Sequence, residues 1–361
     1  MKTKENKGIT LIALVLTIIV LLILSGISIS MLTGENGILT RAKEAKTKTE
    51  LAIEKEQLQM AITEALTENN NILTKEKLQN TLAKINNETP NIVENTDGSF
   101  TIAYSQKIYY INTNKSTIID KNLKISSASD LKKIRDDVNL GNSYKECYIY
   151  LENDIYLPEE ENWTPIGYYS DEIENNVEFY GIFDGRGNKI HGLNVSNENE
   201  RYHGLFGCNK GTIMNLEISS DSTILGKGNT GAIVGYNVGS VINCKSEATI
   251  QSNYNNTGGV VGKNDGLVSS CINGGNVLNT GKVVGGVVGW NTENGKIEKS
   301  SNISEVETKS YMVGGVVGSN DGIVTECFNL SKVIGNTTDS TNESSSGGIA
   351  GYNKRRNNKM L

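Results

Sequence analysis

Two glycine-rich stretches have the residue types of phosphate-binding loops. Residues 226–231 are Gly-Lys-Gly-Asn-Thr-Gly, which fits the G-x-G-x-x-G spacing of a dinucleotide-binding turn. That turn must open a helix, but residues 232–234, Ala-Ile-Val, predict a strand. Residues 262–264 resemble the end of a phosphate loop, yet the preceding glycine is misplaced and the serine or threonine is missing. We therefore predict no nucleotide and no other cofactor.

Acid–base chemistry has one candidate group, formed by Asp184, Arg186 and His191. A carboxylate, a guanidinium and an imidazole can together abstract a proton and stabilise negative charge. The alternative is that Asp184 and Gly185 form a turn, because Asp-Gly is a frequent turn pair, and we favour this interpretation. The chain has only two histidines and no H-E-x-x-H pattern, which limits acid–base and zinc chemistry. We predict that the protein is not an enzyme.

An acidic cluster is the one candidate for metal binding. Its members are Glu159, Glu160, Glu161, Asp171, Glu172 and Glu174. These carboxylates would bind calcium only loosely, and a solvated loop is the favoured interpretation. We therefore predict no metal site.

The composition changes along the chain and predicts two architectures. The 361 residues include 38 glycines and 3 prolines, and most of the glycines follow Gly181. The first half is instead rich in Lys, Glu, Thr, Leu and Ile. The net charge of -6 gives no basic surface, so nucleic acid is not an expected partner.

One glycine-rich motif occurs six times in the second half of the sequence. The copies are GLFGCN, GAIVGYN, GGVVGKN, GGVVGWN, GGVVGSN and GGIAGYN. Their last glycines are Gly207, Gly235, Gly262, Gly289, Gly318 and Gly351. These are 27 to 33 residues apart, and such a period is the signature of a solenoid. The apolar runs are short and β-branched, so we predict an all-β, right-handed β-solenoid with coils about 4.8 Å apart.

Asparagine occupies one slot in every copy. The six residues are Asn209, Asn237, Asn264, Asn291, Asn320 and Asn353. Asparagine tolerates the left-handed conformation and can stack as a ladder of amides, so we predict a structural role rather than ligand binding. The residue before it varies between copies and is expected to face outward. We predict surface contacts at three such positions, Tyr236, Trp290 and Tyr352.

Three of the five cysteines also share one repeat slot. They are Cys244, Cys271 and Cys327, and Ser300 fills the slot in the intervening copy. Neighbouring coils could bring Cys244 and Cys271 within disulfide range. A recurring small residue without histidines or C-x-x-C spacing favours an inward packing column. We predict free, buried thiols.

The six copies resemble the GLUG repeat of bacterial surface proteins and adhesins, including the stalk regions of some IgA-cleaving proteases. Three phrases before them are similar to the first coils of bacterial surface β-helices. They are Asn-Asp-Ile at 153–155, Trp-x-Pro-Ile-Gly at 163–167 and Phe-Asp-Gly at 183–185. We assign residues 126–203 to these first coils and residues 204–353 to the repeats. The resemblance implies display at the cell surface.

The N-terminus carries a membrane segment. Residues 9–32 are apolar and would form a helix of about 36 Å, against a hydrocarbon core of about 30 Å. Lysines precede the segment, which predicts a cytoplasmic N-terminus and an exported remainder. A cleaved secretory signal is the competing interpretation, but the apolar run is too long and has no clear small-x-small exit site.

Residues 7–12, Lys-Gly-Ile-Thr-Leu-Ile, resemble the leader junction of type IV prepilins and pseudopilins. The resemblance implies a leader over residues 1–8, cleavage by a prepilin peptidase after Gly8, and methylation of Ile9. That family has a glutamate at the fifth mature position, where this chain has Ala13. A glutamate in the bilayer is costly unless it is paired, so Ala13 favours a simple anchor over a pilus subunit.

Residues 33–125 connect the anchor to the solenoid. Apolar residues at helical spacing predict a helix from Ile38 to about Leu66 and a second short helix that contains Leu78 and Leu82. Alternation from Ser99 predicts a hairpin. This order of elements is similar to that of pilins. A further helix is predicted over 129–140, with Ser129 or Asp130 at its start.

The sequence therefore predicts a single-pass membrane protein with an extracellular C-terminal solenoid that adheres to glycans or proteins of a host or other surface. A pseudopilin or minor pilin, partnered by pilus or secretion subunits, is the alternative. A β-helix enzyme acting on polysaccharides is the third. The polar tail 354–361 has no apolar strand or evident cap, which favours a truncated reading frame.

Overall fold

The computed structural model describes residues 38–68, 72–86, 90–94, 98–104, 107–112, 117–119, 121–158, 161–168, 176–196, 201–254, 256–308, 311–335 and 345–354. The chain divides into two compact units, Met1–Ile92 and Val93–Leu361. The predicted leader, cleavage site and membrane segment, and all but the first residue of the tail 354–361, lie outside the described residues. No helix in the described part of the chain is long and apolar enough to span a membrane.

The first unit contains two helices, α1 (Ile38–Glu68) and α2 (Lys75–Asn86). They pack against each other, and Leu58, Ile62, Leu78 and Leu82 are buried. Both helices are therefore confirmed at the predicted positions.

Four short strands follow, β1 (Asn91–Glu94), β2 (Phe100–Tyr104), β3 (Lys107–Asn112) and β4 (Thr117–Ile119). They form one sheet in chain order. β2 pairs antiparallel with β3, with Phe100 opposite Ile111, so the predicted hairpin is confirmed. Tyr110 of β3 is buried and stacks on Tyr148 at a ring distance of 5.7 Å. Both residues belong to the second unit, and Tyr148 lies in its solenoid. The small sheet thus covers part of one solenoid face.

The rest of the second unit is built from five parallel sheets, which we number I to V. Sheet I contains β5 (Lys121–Ile125), β6 (Cys147–Leu151), β8 (Ile182–Asp184), β13 (Thr212–Met214), β18 (Ser240–Ile242), β23 (Leu267–Ser269), β28 (Lys296–Glu298) and β33 (Ile323–Thr325). Sheet II contains β7 (Ile155–Tyr156), β9 (Lys189–His191), β14 (Glu217–Ile218), β19 (Lys245–Ser246), β24 (Ile272–Asn273), β29 (Ser301–Asn302) and β34 (Phe328–Asn329).

The other three sheets have six strands each. Sheet III contains β10 (Asn194–Val195), β15 (Thr223–Gly226), β20 (Thr249–Ser252), β25 (Val277–Asn279), β30 (Val306–Thr308) and β35 (Val333–Ile334). Sheet IV contains β11 (Tyr202–His203), β16 (Asn229–Thr230), β21 (Thr257–Gly258), β26 (Val283–Gly285), β31 (Met312–Gly314) and β36 (Ser345–Gly347). Sheet V contains β12 (Phe206–Asn209), β17 (Val234–Asn237), β22 (Val261–Asn264), β27 (Val288–Asn291), β32 (Val317–Asn320) and β37 (Ala350–Asn353).

These sheets form a β-solenoid of about seven turns, because the chain visits each sheet in order and then returns one rung further on. Each strand pairs in parallel with its counterpart in the next coil, as Val261 and Asn264 do with Val288 and Asn291. One repeat of the sequence is therefore one coil, and the predicted all-β solenoid is confirmed. Its right-handedness stays a prediction. The first solenoid strand, β5, begins at Lys121, before the start predicted near residue 126.

Helix α3 (Ala128–Asn139) closes the N-terminal end of the solenoid core. Its buried residues Leu131, Ile134 and Val138 belong to the same apolar cluster as the valines of the coils. The helix begins after Ser127, whose Oγ accepts a hydrogen bond from the Asp130 N–H at 3.2 Å. The predicted cap at Ser129 or Asp130 was wrong, because Ser127 is the residue with extended backbone that can reach the free N–H groups.

Sheets IV and V approach each other so closely that no side chain fits between them at Gly289. A Cβ placed on Gly289 would lie 2.5 Å from the Asn256 carbonyl carbon and 2.6 Å from the Thr257 nitrogen. Both are backbone atoms, which cannot move without distorting a neighbouring coil. The repeated glycine is therefore required by the close packing of two strands.

The left-handed backbone conformation occurs at a different repeat position from the one expected. The asparagines of sheet V are in strands, whereas positive φ angles occur one residue after the sheet I strands. That slot contains Asn215 (φ 53°), Asn243 (51°), Ser270 (56°), Lys299 (51°) and Glu326 (54°). The tolerance of asparagine for this conformation therefore explains Asn215 and Asn243 rather than the repeated asparagine.

Candidate binding surface

A ladder of amides runs along the inside of sheet V. Each asparagine donates from Nδ2 to Oδ1 of the asparagine in the next coil, at 2.8 Å in all five steps. The ladder consists of Asn209, Asn237, Asn264, Asn291, Asn320 and Asn353. Asn264 also donates to the Gly266 carbonyl at 3.0 Å and accepts from the Gly266 N–H at 3.3 Å. Satisfying buried amides in this way avoids a cost of about 1–3 kcal/mol per unpaired group.

A second asparagine ladder lies in sheet II, and the sequence reasoning missed it. Asn273 donates to Asn302 and Asn302 donates to Asn329, each at 2.8 Å. The signal was present, because these residues recur at the repeat period. In the preceding coil the same slot holds Ser246, which pairs with Asn273 in register.

Glycines make room for the second ladder. A Cβ placed on Gly259 would lie 2.2 Å from the Asn273 side chain, and one on Gly286 would lie 2.5 Å from that of Asn302. One coil has Ser246 in place of the ladder asparagine. The same coil has Ala232 at the repeat position where later coils have Gly259 and Gly286. The two positions thus change together, since the larger amide is found where the facing residue is smallest.

The outward residues of sheet V form a second column beside the first ladder. In register, this column contains Cys208, Tyr236, Lys263, Trp290, Ser319 and Tyr352. Cys208 and Ser319 are buried, Tyr236, Lys263 and Trp290 are half-buried, and Tyr352 is 44% exposed. The structure therefore places the three predicted contact residues in one column, but Ser319 separates Tyr352 from the other two.

Lys263 lies between two aromatic rings of this column. Its Nζ is 4.6 Å from the centroid of the Tyr236 ring and 5.1 Å from that of the Trp290 ring. Each such contact contributes about 0.5–1 kcal/mol when exposed. No carboxylate among the described residues lies within ion-pairing distance of Lys263. We call Tyr236, Lys263 and Trp290 the sheet V triad.

The indole of Trp290 is fixed by a neighbouring coil. Its Nε1 donates to Oδ2 of Asp321 at 2.9 Å. Asp265, two residues after Lys263, accepts through Oδ1 from the Thr292 hydroxyl and, at 3.2 Å, from the Asn294 side chain. Both aspartates are thus engaged in hydrogen bonds between coils, and the bond to Asp321 holds the Trp290 indole in place.

The candidate base Asp184 is engaged in a turn. It is buried and accepts hydrogen bonds from the Tyr148 hydroxyl at 2.6 Å, the Arg186 N–H at 2.8 Å and the Asn215 side chain at 3.0 Å. The Asn188 N–H also donates to the Gly185 carbonyl at 2.8 Å, so the predicted turn is present. These contacts occupy both carboxylate oxygens.

His191 lies on sheet II, whereas Asp184 lies on sheet I. Its ring stacks on that of Tyr156 at 4.4 Å, and Nδ1 is 3.2 Å from Oδ2 of Asp221. The Arg186 guanidinium stacks on the Tyr150 ring at 3.7 Å. Asp184 and Arg186 share the Tyr148 hydroxyl, to which the Arg186 Nε donates at 3.4 Å, whereas His191 has other partners on another sheet, so the three candidate residues do not form one site.

The acidic cluster and the cysteines carry no reactive group in the part of the chain that is described. Glu161 pairs with Lys132 and Arg135, while the other predicted cluster members lie outside the described residues. All five cysteines are free, and four of them are buried. Burial, followed by the neighbouring Cys271, holds the pKa of the Cys244 thiol well above its usual range. A buried thiol of this kind is a poor nucleophile and a poor metal ligand.

Comparisons with known proteins give one structural similarity. No protein-family model and no curated protein matches the sequence. The chain is similar to the crystal structure of a "putative immunoglobulin A1 protease" from Bacteroides ovatus, solved at 1.30 Å. The two share 19% sequence identity with a TM-score of 0.42, over 64% of this chain and 83% of that chain. A similarity at this level carries no argument about function.

Proposed function

We propose that this protein is anchored in the membrane and exposes its β-solenoid at the cell surface, where it mediates adhesion or another surface interaction. The observation that carries the proposal is the sheet V triad, a half-buried cation between two aromatic rings on a rigid face. Neighbouring coils hold both rings in place, because Tyr236 stacks on Tyr202 at a ring distance of 5.7 Å and Trp290 donates to Asp321 at 2.9 Å. Lys263 has no ion pair with a described carboxylate.

The anchor in this proposal is the apolar segment 9–32. A prepilin peptidase would cleave after Gly8 and methylate Ile9, and the segment would then cross the membrane once with the solenoid outside. The pseudopilin alternative is supported by the order of elements, in which α1 and α2 precede a small antiparallel sheet. Ala13 counts against it, since it cannot form the ion pair that a glutamate would make.

Labelling of intact cells tests the surface location. Lys282 and Lys299 are exposed in the solenoid, so a membrane-impermeant amine reagent should modify both in intact cells. Lysed cells give the full extent of labelling, and a cytoplasmic protein gives the background. Modification of these lysines only after lysis would contradict the proposal.

Processing of the N-terminus separates the anchor from a secretory signal. We expect the mature chain to begin at methylated Ile9, as measured by mass spectrometry of the isolated protein. A Gly8→Val variant should retain residues 1–8. An N-terminus beyond residue 32 would show instead that the segment is a cleaved signal.

A further inference from the structure

We propose that the sheet V triad binds an acidic polysaccharide, whose sugar rings carry carboxylate or sulfate groups. This inference rests on the proposed function, because it names the ligand class of the same outward column. Lys263 would hold the anionic group, and the rings of Tyr236 and Trp290 would contact the sugars on either side.

The charge of Lys263 favours an anionic ligand. Its ammonium has two ring contacts and no ion pair with a described carboxylate. Aromatic rings attract a cation but do not neutralise it, so a carboxylate or sulfate can still form a charge-assisted hydrogen bond there. The rings also restrict the long lysine side chain before binding, which lowers the entropic cost of association.

The shape of the column favours a polymer of rings. Neighbouring coils are about 4.8 Å apart, so the backbones of Tyr236 and Trp290 are separated by about 10 Å with Lys263 midway. Tyrosine and tryptophan provide large contact areas with few rotatable bonds, and Trp290 is further fixed by Asp321. A polysaccharide lying along the column could therefore place successive sugars on the triad.

An acidic peptide fits this surface less well. The strand that carries Lys263, β22, pairs with β17 on one side and with β27 on the other. Its backbone is thus unavailable for added strand pairing, which supplies much of the affinity when extended peptides bind to sheets. A peptide would depend on side-chain contacts alone.

Titration of the full-length chain in detergent tests the proposal with four polymers of similar length. Polygalacturonate carries carboxylates, heparin carries sulfates, dextran is neutral and polyglutamate is an acidic peptide. We expect polygalacturonate or heparin to bind at least tenfold more tightly than dextran and polyglutamate. Which of the two binds distinguishes a carboxylated from a sulfated ligand.

Matched variants locate the site. Lys263→Ala should weaken binding at least tenfold, whereas Lys263→Arg should retain it because a guanidinium also stacks on aromatic rings. Lys296→Ala removes the same charge from sheet I, where the lysine is paired with Glu298, and should leave the affinity unchanged. Denaturant midpoints of all three variants report whether the fold is intact, and Trp290→Leu provides a second test that does not alter the charge.

Several results would overturn the assignment. Equal losses in Lys263→Ala and Lys296→Ala would show nonspecific attraction, and tight binding of polyglutamate or dextran would exclude an acidic polysaccharide as the preferred ligand. Absence of binding to all four polymers would also contradict it. These outcomes are independent of the labelling of intact cells, so failure of the ligand assignment is distinguishable from failure of the surface location.

Discussion

Two adjacent columns on the strands of sheet V differ in both chemistry and variability. The inward column is asparagine in all six coils, and its members bond to one another at 2.8 Å. The outward column changes from cysteine to tyrosine, lysine, tryptophan, serine and tyrosine. The difference shows that stacking constrains what faces the core, while the neighbouring position is free to vary between coils.

The largest effect on the inward side is expected from Gly289→Ala. The added methyl would meet backbone atoms at 2.5–2.6 Å, so we expect a loss of about 3 kcal/mol or more in the free energy of unfolding. Gly274→Ala is the matched control, since its nearest neighbour is the Ile303 side chain at 3.6 Å. Denaturant unfolding measures both variants. Similar stability of the two would show that the close approach of sheets IV and V is not what requires glycine.

The stability that the second asparagine ladder contributes can be tested in the same way, because one coil has a serine at the ladder position. Asn302→Ala removes hydrogen bonds to Asn273 and Asn329 and should cost about 2–4 kcal/mol, because buried amides are left unpaired. Ser246 occupies the equivalent slot, and its Oγ has no hydrogen-bond partner among the described residues. Ser246→Ala should therefore change stability by less than about 0.5 kcal/mol. A large loss at Ser246 would mean that the slot itself, rather than the amide bonds, supports the coil.

A smaller effect of opposite sign is expected at Lys299. Its φ of 51° is unfavourable for a residue with a Cβ, so Lys299→Gly should stabilise the protein by about 1 kcal/mol. Asn243→Gly, at the equivalent position, should change stability less, because asparagine already tolerates this conformation. Thermal unfolding compares the two variants. Destabilisation by Lys299→Gly would show that the lysine side chain contributes contacts that outweigh the strained backbone.

The repeat period was the strongest signal in the sequence. Spacings of 27 to 33 residues predicted stacked coils and brought the six asparagines of sheet V into one slot. Helical spacing located α1 and α2, and alternation located the β2–β3 hairpin. These features depend on local periodicity, which the order of residues records directly.

Contacts between coils were harder to predict. The second ladder depends on Gly259 facing Asn273, and the position of Lys263 between two rings depends on the register of three strands. The number of sheets in each coil decides which residues face each other, and the sequence pattern alone did not fix that number. The separation of Asp184 from His191 has the same cause, since the turn at Gly185 directs the chain from sheet I to sheet II.

One pair of adjacent substitutions tests most directly whether the two columns have separate roles. Serine is already present in the outward column at Ser319, so Lys263→Ser should cost no more than its two ring contacts, about 1–2 kcal/mol in the free energy of unfolding. Asn264→Ser breaks the ladder on both sides and should cost about 2–4 kcal/mol. Equilibrium denaturation of both proteins under one set of conditions should therefore show a clear difference between neighbouring residues. Equal losses would contradict the division between an inward column that holds the solenoid and an outward column that is free to bind.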